Sequence, residues 1–429
     1  MAPLRSAAAR PLPGPANTWP RREAALAELA AVGWPTPQRE RWRYTDLQAL
    51  AAADLELAPS APAGADLELA AALLAAMPLV TQDQRLVFVD GHRIAGLGAT
   101  SIKHLEIADV EAAWSGFDSR FASRIATREH PLAAVNTAFT QHGLWLRVAA
   151  GATLAAPLHL VFIGSSRTAL APQLRVVIEA AEDTSLTVVQ HFIDGDTGSG
   201  WINSVTQVQQ AARSKVDLYR SQRHGPDRTH TSLLAAELAA DAELIVGYVD
   251  LGGRLIRNDI DVKLAERGAR TELFGLFLAG SGQHMDNHVL VDHTAPETRS
   301  DEAFRGIIGR RGRGVFNGKV IVQRNAQRID ARQSSDNLLL AEQAEINTKP
   351  ELEIYADDVK CSHGTTVGEL DMEQLFYLRA RGIGEAAARE LLTGAFAATV
   401  LERVRRSELR EHLVEQVAAR LRSVAEPTP

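Results

Sequence analysis

Cysteine is nearly missing from this sequence: Cys361 is the single one among 429 residues. One thiol closes no disulfide within the chain, and secreted proteins of this size generally carry several, so the composition points to a reducing, cytoplasmic setting. Net positive charge is missing too. The formal net charge of -7 and the pI near 6.0 provide no basic field for gripping nucleic acid irrespective of its sequence, and they disfavour an anionic membrane surface. Long apolar runs, of the roughly 18 residues that a membrane helix needs, do not occur. The opening "MAPLRSAAARPLPGPANTW" holds Arg5 and Arg10 without the apolar stretch of a secretory signal, so the reading is a soluble chain that is neither exported nor membrane-spanning. Phosphate-binding loops are lacking as well. With neither a G-x-x-x-x-G-K-[ST] loop nor a dinucleotide fingerprint, any use of ATP falls to another chain.

What is present divides into three textures, and the 45% hydrophobic content is ample for more than one domain. Residues 1–142 read as a mostly helical region. "REAALAELAAVG" and "LELAAALLAAM" are rich in helix formers, with Gly33 placed as a stop, and "RLVFVDGHRIAG" sets Asp90-Gly91 between two apolar runs as a hairpin turn. Between them, Pro35 and Pro37 precede the charged, aromatic run "RERWRYTDL".

Over residues 143–368 the texture changes to short alternating segments such as "LRVVIEA", "SLTVVQHFI", "NDIDVKLAE" and "KVIVQR". The polar corners "AAEDTSL", "AARSKVD", "AADAELI" and "AERGARTEL" recur at roughly 25 to 30 residues, as in stacked rungs too poor in apolar surface to stand alone. A mainly β protein built on a parallel β-helix is the preferred reading. A two-sheet sandwich competes with it, because Asn317-Gly318 in "VFNGKVIV" has the form of a hairpin turn.

Helices return over residues 369–429. Asp371 is placed to cap the first turn with Gln374 reaching back to it, Leu370 to pack on Leu375, and Gly382 to end the helix. Leu391, Leu392, Phe396, Val400 and Val404 mark a second helix; Leu409, Leu413, Val417, Leu421 and Val424 mark a third. These stripes need a cover. The simplest is that the helices pack on one another and on the end of the β-helix; the alternative is that part of the surface receives a partner.

Three polar clusters invite chemical readings. In "KCSHG", Cys361 and His363 alternate along an extended segment, so a thiolate and an imidazole share one face, a donor set suited to iron or sulfur. A conventional cluster needs four ligands, so any metal held here must be completed by another chain. The plain alternative is an inert small cysteine and a turn-stabilising histidine. In "GQHMDNHVLVDH", His284, Asp286 and His288 share a face if the segment is a strand, and read as a polar ladder on an exposed face with His293 at its end. "GRRGRG" from Gly309 to Gly314 reads as a solvated basic turn. A β-helix polysaccharide lyase or hydrolase would cast Asp286, Asp292 and Arg305 as its groove residues, and a homodimeric scaffold unrelated to metal is a further class.

The stretch "AQRIDARQSSDNLLLAEQAEINTKPELEIYADDVKCSHG", continuing into "TTVGELDMEQLFYLRARGI", resembles the signature of the SufB/SufD family of iron-sulfur cluster assembly proteins. The likeness extends to "HPLAAVNTAFTQHGLWLRV", "VFNGKVIVQ" and "GWPTPQRERWRYTDL", and so covers most of the chain. It implies a right-handed parallel β-helix core flanked by N-terminal and C-terminal helical domains. It implies also a heterodimer with a SufB subunit, a SufC ATPase docked on the C-terminal helices, and a non-enzymatic scaffold role. Because SufB chains typically carry further cysteines in the β-helix, the lone Cys361 places this chain in the branch that pairs with SufB. The resemblance then assigns His363 to a nascent-cluster site shared with SufB, Cys361 to a weaker share in it, and Leu375, Phe376, Leu378 and Arg379 to SufC contact. No cofactor is expected on the isolated chain, which can pair with itself; the nascent iron-sulfur cluster and ATP enter through the complex.

Overall fold

The computed structural model describes residue 4 and residues 16–58, 61–62, 64–77, 79–109, 125–141, 143–195 and 198–425. The reading made on Arg5 and Arg10 lies outside them. Helix α1 (Trp19–Val32) ends where Gly33 takes φ 81°, a left-handed conformation natural to glycine, and returns its N–H to Leu29 O at 2.7 Å. Short helices α2 (Gln48–Ala52) and α3 (Ala65–Ala75) follow, then α4 (Pro131–Phe139). Arg22 of α1 is buried and donates to the carbonyls of Ala138 at 3.1 Å and Thr140 at 2.8 Å, filling acceptors left at the end of α4.

The hairpin joins β1 (Arg85–Val89) to β2 (His92–Arg93), with Asp90 and Gly91 both at positive φ, as a two-residue turn matching the strand twist requires. It is hydrogen-bonded into the first turn of the solenoid, since β1 runs parallel to the strand Leu158–Gly164. After β3 (Leu105–Asp109), β4 (Gly143–Val148) and β5 (Leu158–Gly164), strands β6 to β12 are Gln173–Ala180, Ser185–Asp194, Ser199–Gln210, Lys215–Arg223, Asp227–Leu238, Glu243–Asp250 and Leu255–Leu264. Strands β13 to β19 are Arg270–Ala279, His284–His293, Arg299–Ile308, Arg313–Val322, Ile329–Leu339, Glu345–Ile354 and Val359–Gly368.

Successive strands alternate between two facing sheets, and from β4 onward each pairs in parallel with the strand two places along. Glu243 lies beside Arg270, Arg270 beside Arg299, and Arg299 beside Asp330, one turn of a parallel β-solenoid at a time. The recurrent polar corners are its bends. Asp183, Arg213, Asp241 and Gly268 all have positive φ, and the N–H groups of Asp183, Arg213 and Asp241 donate to carbonyls of the next turn at 3.1, 2.9 and 3.0 Å. The sandwich alternative fails at its own turn signal: Asn317 and Gly318 sit inside β16, paired in parallel with Lys349 and Pro350. Glycine is needed there for space, because a Cβ at 318 would stand 2.0 Å from the amide nitrogen of Gln333 across the lumen.

Alternate residues fill the solenoid. Phe88, Phe162 and Phe192 stack with centroids 5.0 and 4.7 Å apart, while Arg220 pairs with Asp250 at 2.6 Å and lies over Tyr248, with both charges buried and hydrogen-bonded.

Helices α5 (Met372–Ala380), α6 (Glu385–Leu401) and α7 (Ser407–Ala425) close the chain. Asp371 caps α5 by accepting the N–H groups of Glu373 and Gln374. Their location corrects the simplest expectation: they do not cover the end of the solenoid. Leu409, Leu413, Val417 and Leu421 pack beside Ile245, Val249, Leu276 and Ile307 on the outer side of the ten-stranded sheet. Arg403 ties this packing to two turns at once, through Glu272 at 2.9 Å and Asp301 at 3.4 Å. Among the described residues no helix is long and apolar enough to cross a membrane.

Candidate functional site

With the helices on its side, the solenoid ends on β18 and β19, the outermost strands of the two sheets, each leaving one row of backbone groups unpaired. Cys361 and His363 both lie on β19. Parallel register places Cys361 above Ala331 and His363 above Gln333, and both of those β17 residues are buried. The two therefore continue the lumen-facing column, as the period of two along a strand requires, yet His363 is exposed because no further turn covers it. Thr348 of β18 and Thr365 of β19 meet across the lumen with their hydroxyls 2.6 Å apart, and Thr365 also donates to Ser335 O at 3.0 Å.

The two candidate donors differ in environment. Cys361 packs with Val320, Ile329 and Ala331; burial, reinforced by nearby Asp330, pushes its thiol above the ordinary value and so toward the protonated, weakly nucleophilic form. His363 makes no hydrogen bond to any described residue and presents its ring at the mouth of the lumen. Among the described residues no group of three or more His, Cys, Asp or Glu is arranged to hold a metal ion. The end thus offers one free imidazole and one partly covered thiol.

Directly beneath lies a pair that composition did not single out. Glu302 of β15, Gln333 of β17 and His363 of β19 form one column through successive registers. The amide nitrogen of Gln333 donates to Glu302 Oε2 at 2.8 Å, and burial pushes the Glu302 carboxyl up to about 8, more than the Gln333 hydrogen bond draws it down. The second oxygens of both side chains have no partner. Alternation within "RSDEAFRGII" and "ARQSSDN" makes these inward positions identifiable only once the register is known.

His284, Asp286 and His288 do share a face of β14, as read from the sequence, but it is not an exposed ladder. The segment "RERWRYTDL" covers it: Thr45 Oγ1 lies 2.8 Å from His284 Nε2 and also donates to Asp286, while Trp42 stacks on Arg257 at 4.2 Å. Arg257 donates to Asp286 at 2.6 Å and to Asp259 at 2.9 Å, and Arg41 reaches Asp259 at 3.0 Å. Burial raises these carboxyls, but Arg257, joined by Arg41 at Asp259 and by His288 and His284 at Asp286, outweighs it and holds both well below the carboxylate range. His293 is not the end of this row. It faces the interior and meets Thr298 and Ser300 at 2.8 and 3.0 Å.

The residues proposed for a polysaccharide groove are otherwise engaged. Asp286 is fully buried, Asp292 accepts from Gln323 at 2.9 Å, and Arg305 donates to Phe396 O at 2.7 Å with its guanidinium on the Phe396 ring. "GRRGRG" forms a corner whose Arg310 and Arg311 are exposed beside Gln343. Of the helix residues assigned to ATPase contact, Leu375 is 1% exposed and anchors α5 inward, Leu378 is half-buried, and Arg379 pairs with Glu385 at 3.4 Å. Phe376 is 74% exposed, with Met372 and Tyr377 exposed alongside it.

Residues 162–396 match the family model "SUF system FeS cluster assembly, SufBD core domain", and residues 17–160 match "SufBD protein N-terminal region". The iron-sulfur cluster assembly protein SufD of Escherichia coli is 29% identical over 94% of this chain and 93% of its own length. An iron-sulfur cluster assembly SufBD family protein of Synechocystis is 28% identical over 93% of this chain and 90% of its own length. The chloroplastic protein ABCI7 of Arabidopsis thaliana is 33% identical over 55% of this chain and 50% of its own length.

Proposed function

The chain belongs to the SufBD family of the SUF iron-sulfur cluster assembly system, and from that premise we propose that it is the SufD-type scaffold subunit, pairing with SufB and docking the SufC ATPase. In this reading residues 1–142 form the N-terminal domain, 143–368 the β-helix and 369–429 the docking domain. The observation that carries it is the open end of the solenoid. Two unpaired strand edges accept strands of a second chain by continuing both ladders, and His363 stands inside the lumen column where that chain would abut. The imidazole is then one donor to a nascent cluster whose remaining ligands come from SufB, with Cys361 contributing mainly packing. A strand-edge site of this kind also allows the isolated chain to pair with itself.

ATP enters through SufC. The exposed Phe376, Met372 and Tyr377, flanked by Leu378 and Arg379, are the surface that α5 offers to it. Arg403, bonded to two turns of the solenoid, connects these helices to the sheet, so that motion imposed on the helical domain reaches the strands leading to the open end. Family membership supports a scaffold rather than a catalyst, and the single cysteine suits a reducing compartment such as the cytoplasm.

Coexpression with SufB and SufC tests the proposal. The expected product is a complex of all three chains that acquires iron and sulfide, whereas the chain purified alone stays colourless after anaerobic reconstitution with iron and sulfide. Failure to copurify with either partner, or a stoichiometric cluster on the isolated chain, overturns it.

A further inference from the structure

The column Glu302–Gln333–His363 places a buried side-chain amide directly beneath the exposed imidazole. Neighbouring strands in a ladder are about 4.8 Å apart, so a side chain of glutamine length readily reaches the ring one turn above. The amide has a definite polarity. Its nitrogen donates to Glu302 Oε2 at 2.8 Å, while its oxygen is buried with no partner. A buried acceptor left unpaired is costly, and an N–H donor is what it lacks. His363 carries such a donor and bonds to no described residue. Room for the amide is built in from the facing sheet, where Gly318 leaves the space that any Cβ would take from Gln333.

We infer that Gln333 is the positioning residue for His363: its amide oxygen accepts the hydrogen bond of one ring N–H, fixing a single tautomer and directing the other, unprotonated nitrogen out of the open end. Glu302 completes the chain by accepting from the amide nitrogen, which holds the amide oxygen free for the ring. The arrangement parallels the supporting hydrogen bonds that orient histidine ligands at metal sites generally. The inference rests on the proposed role of His363 and adds to it the group that sets which nitrogen is offered.

The test uses the full-length chain labelled at its histidine nitrogens, at mildly alkaline pH where imidazole is neutral. The resonances of His363 are identified by their absence in His363→Ala. A single tautomer is expected in the wild type and in Glu302→Gln, which keeps an acceptor for the amide; in Gln333→Met, which keeps length but has no acceptor, the ring exchanges between two. In the complex with SufB and SufC, Gln333→Met should lower cluster formation about tenfold with assembly intact. A wild-type ring already exchanging between tautomers overturns the inference, even if Gln333→Met does not fold. Wild-type tautomer and cluster formation in Gln333→Met overturn it as well. If His363→Ala abolishes cluster formation while Gln333→Met is silent, the positioning role alone fails; normal clusters in His363→Ala remove the underlying reading too.

Discussion

Arg257 donates to Asp286 across 2.6 Å from one turn of the solenoid to the next, and neither side chain reaches solvent. Around this bond the segment containing Arg41, Trp42 and Thr45 is fastened to the sheet, so a cluster of histidine and aspartate with the look of a metal site serves as a clamp. Asp286→Ala leaves the buried Arg257 with Asp259 as its carboxylate partner and takes the acceptor from Thr45 and His288. It should destabilise the protein by about 1 to 3 kcal/mol, measured by urea unfolding. The carboxyl is held below its unfolded value, so its contribution is present at neutral pH and is lost as the pH falls below about 4; the variant should lose less stability than wild type over that acid range.

Glu302 has the opposite sign. Its folded value, about 8, lies above the ordinary 4.5, so its stabilising contribution is complete below about pH 4.5 and declines as the pH rises toward 8, by up to about 1.4 kcal/mol per pH unit. Other buried groups titrate in the same window, so the difference between the unfolding free-energy curves of wild type and Glu302→Gln isolates this carboxyl: relative to wild type, the variant should gain stability as the pH rises toward 8. Parallel curves would mean that the carboxyl is not neutral in the fold.

Cys361 and His363 separate by substitution in the assembled complex. With His363→Ala, binding of SufB and SufC and hydrolysis of ATP should remain largely intact while cluster formation falls sharply. Cys361→Ser should have a much smaller effect, because the partly buried, protonated thiol acts in packing. Since both share one strand face, equal weakening of assembly in the two variants would indicate a general disturbance of the interface instead.

Leu375 and Phe376 are sequence neighbours with opposite environments. Leu375→Ala should cost about 2 to 5 kcal/mol of stability through the cavity it opens under α5. Phe376→Ala should leave the melting temperature unchanged and weaken capture of the ATPase, since an exposed aromatic anchor contributes about 2 kcal/mol or more at an interface. Full ATPase binding by Phe376→Ala would place the docking surface elsewhere on the helical domain.

Much of this protein was decided locally and was therefore readable in the sequence. The Asp90-Gly91 turn, the Asp371 cap, the stop at Gly33 and the stripe from Leu409 to Val424 all follow from dihedral preference or helical period within a few residues. The polar corners marked the bends because each turn repeats the same backbone problem. That His284, Asp286 and His288 share a face also followed from the period of two. What covers that face did not, because Trp42 and Thr45 come from a distant segment whose docking no local rule encodes. The same limit applies to the strongest feature of the open end. Glu302, Gln333 and His363 belong to three different turns, and a slip of one residue in either register would send the ring to the opposite face. Only the stacked solenoid sets that register, through corners too variable in length to be counted from the sequence, and only the lateral packing of the C-terminal helices leaves the end of the lumen open.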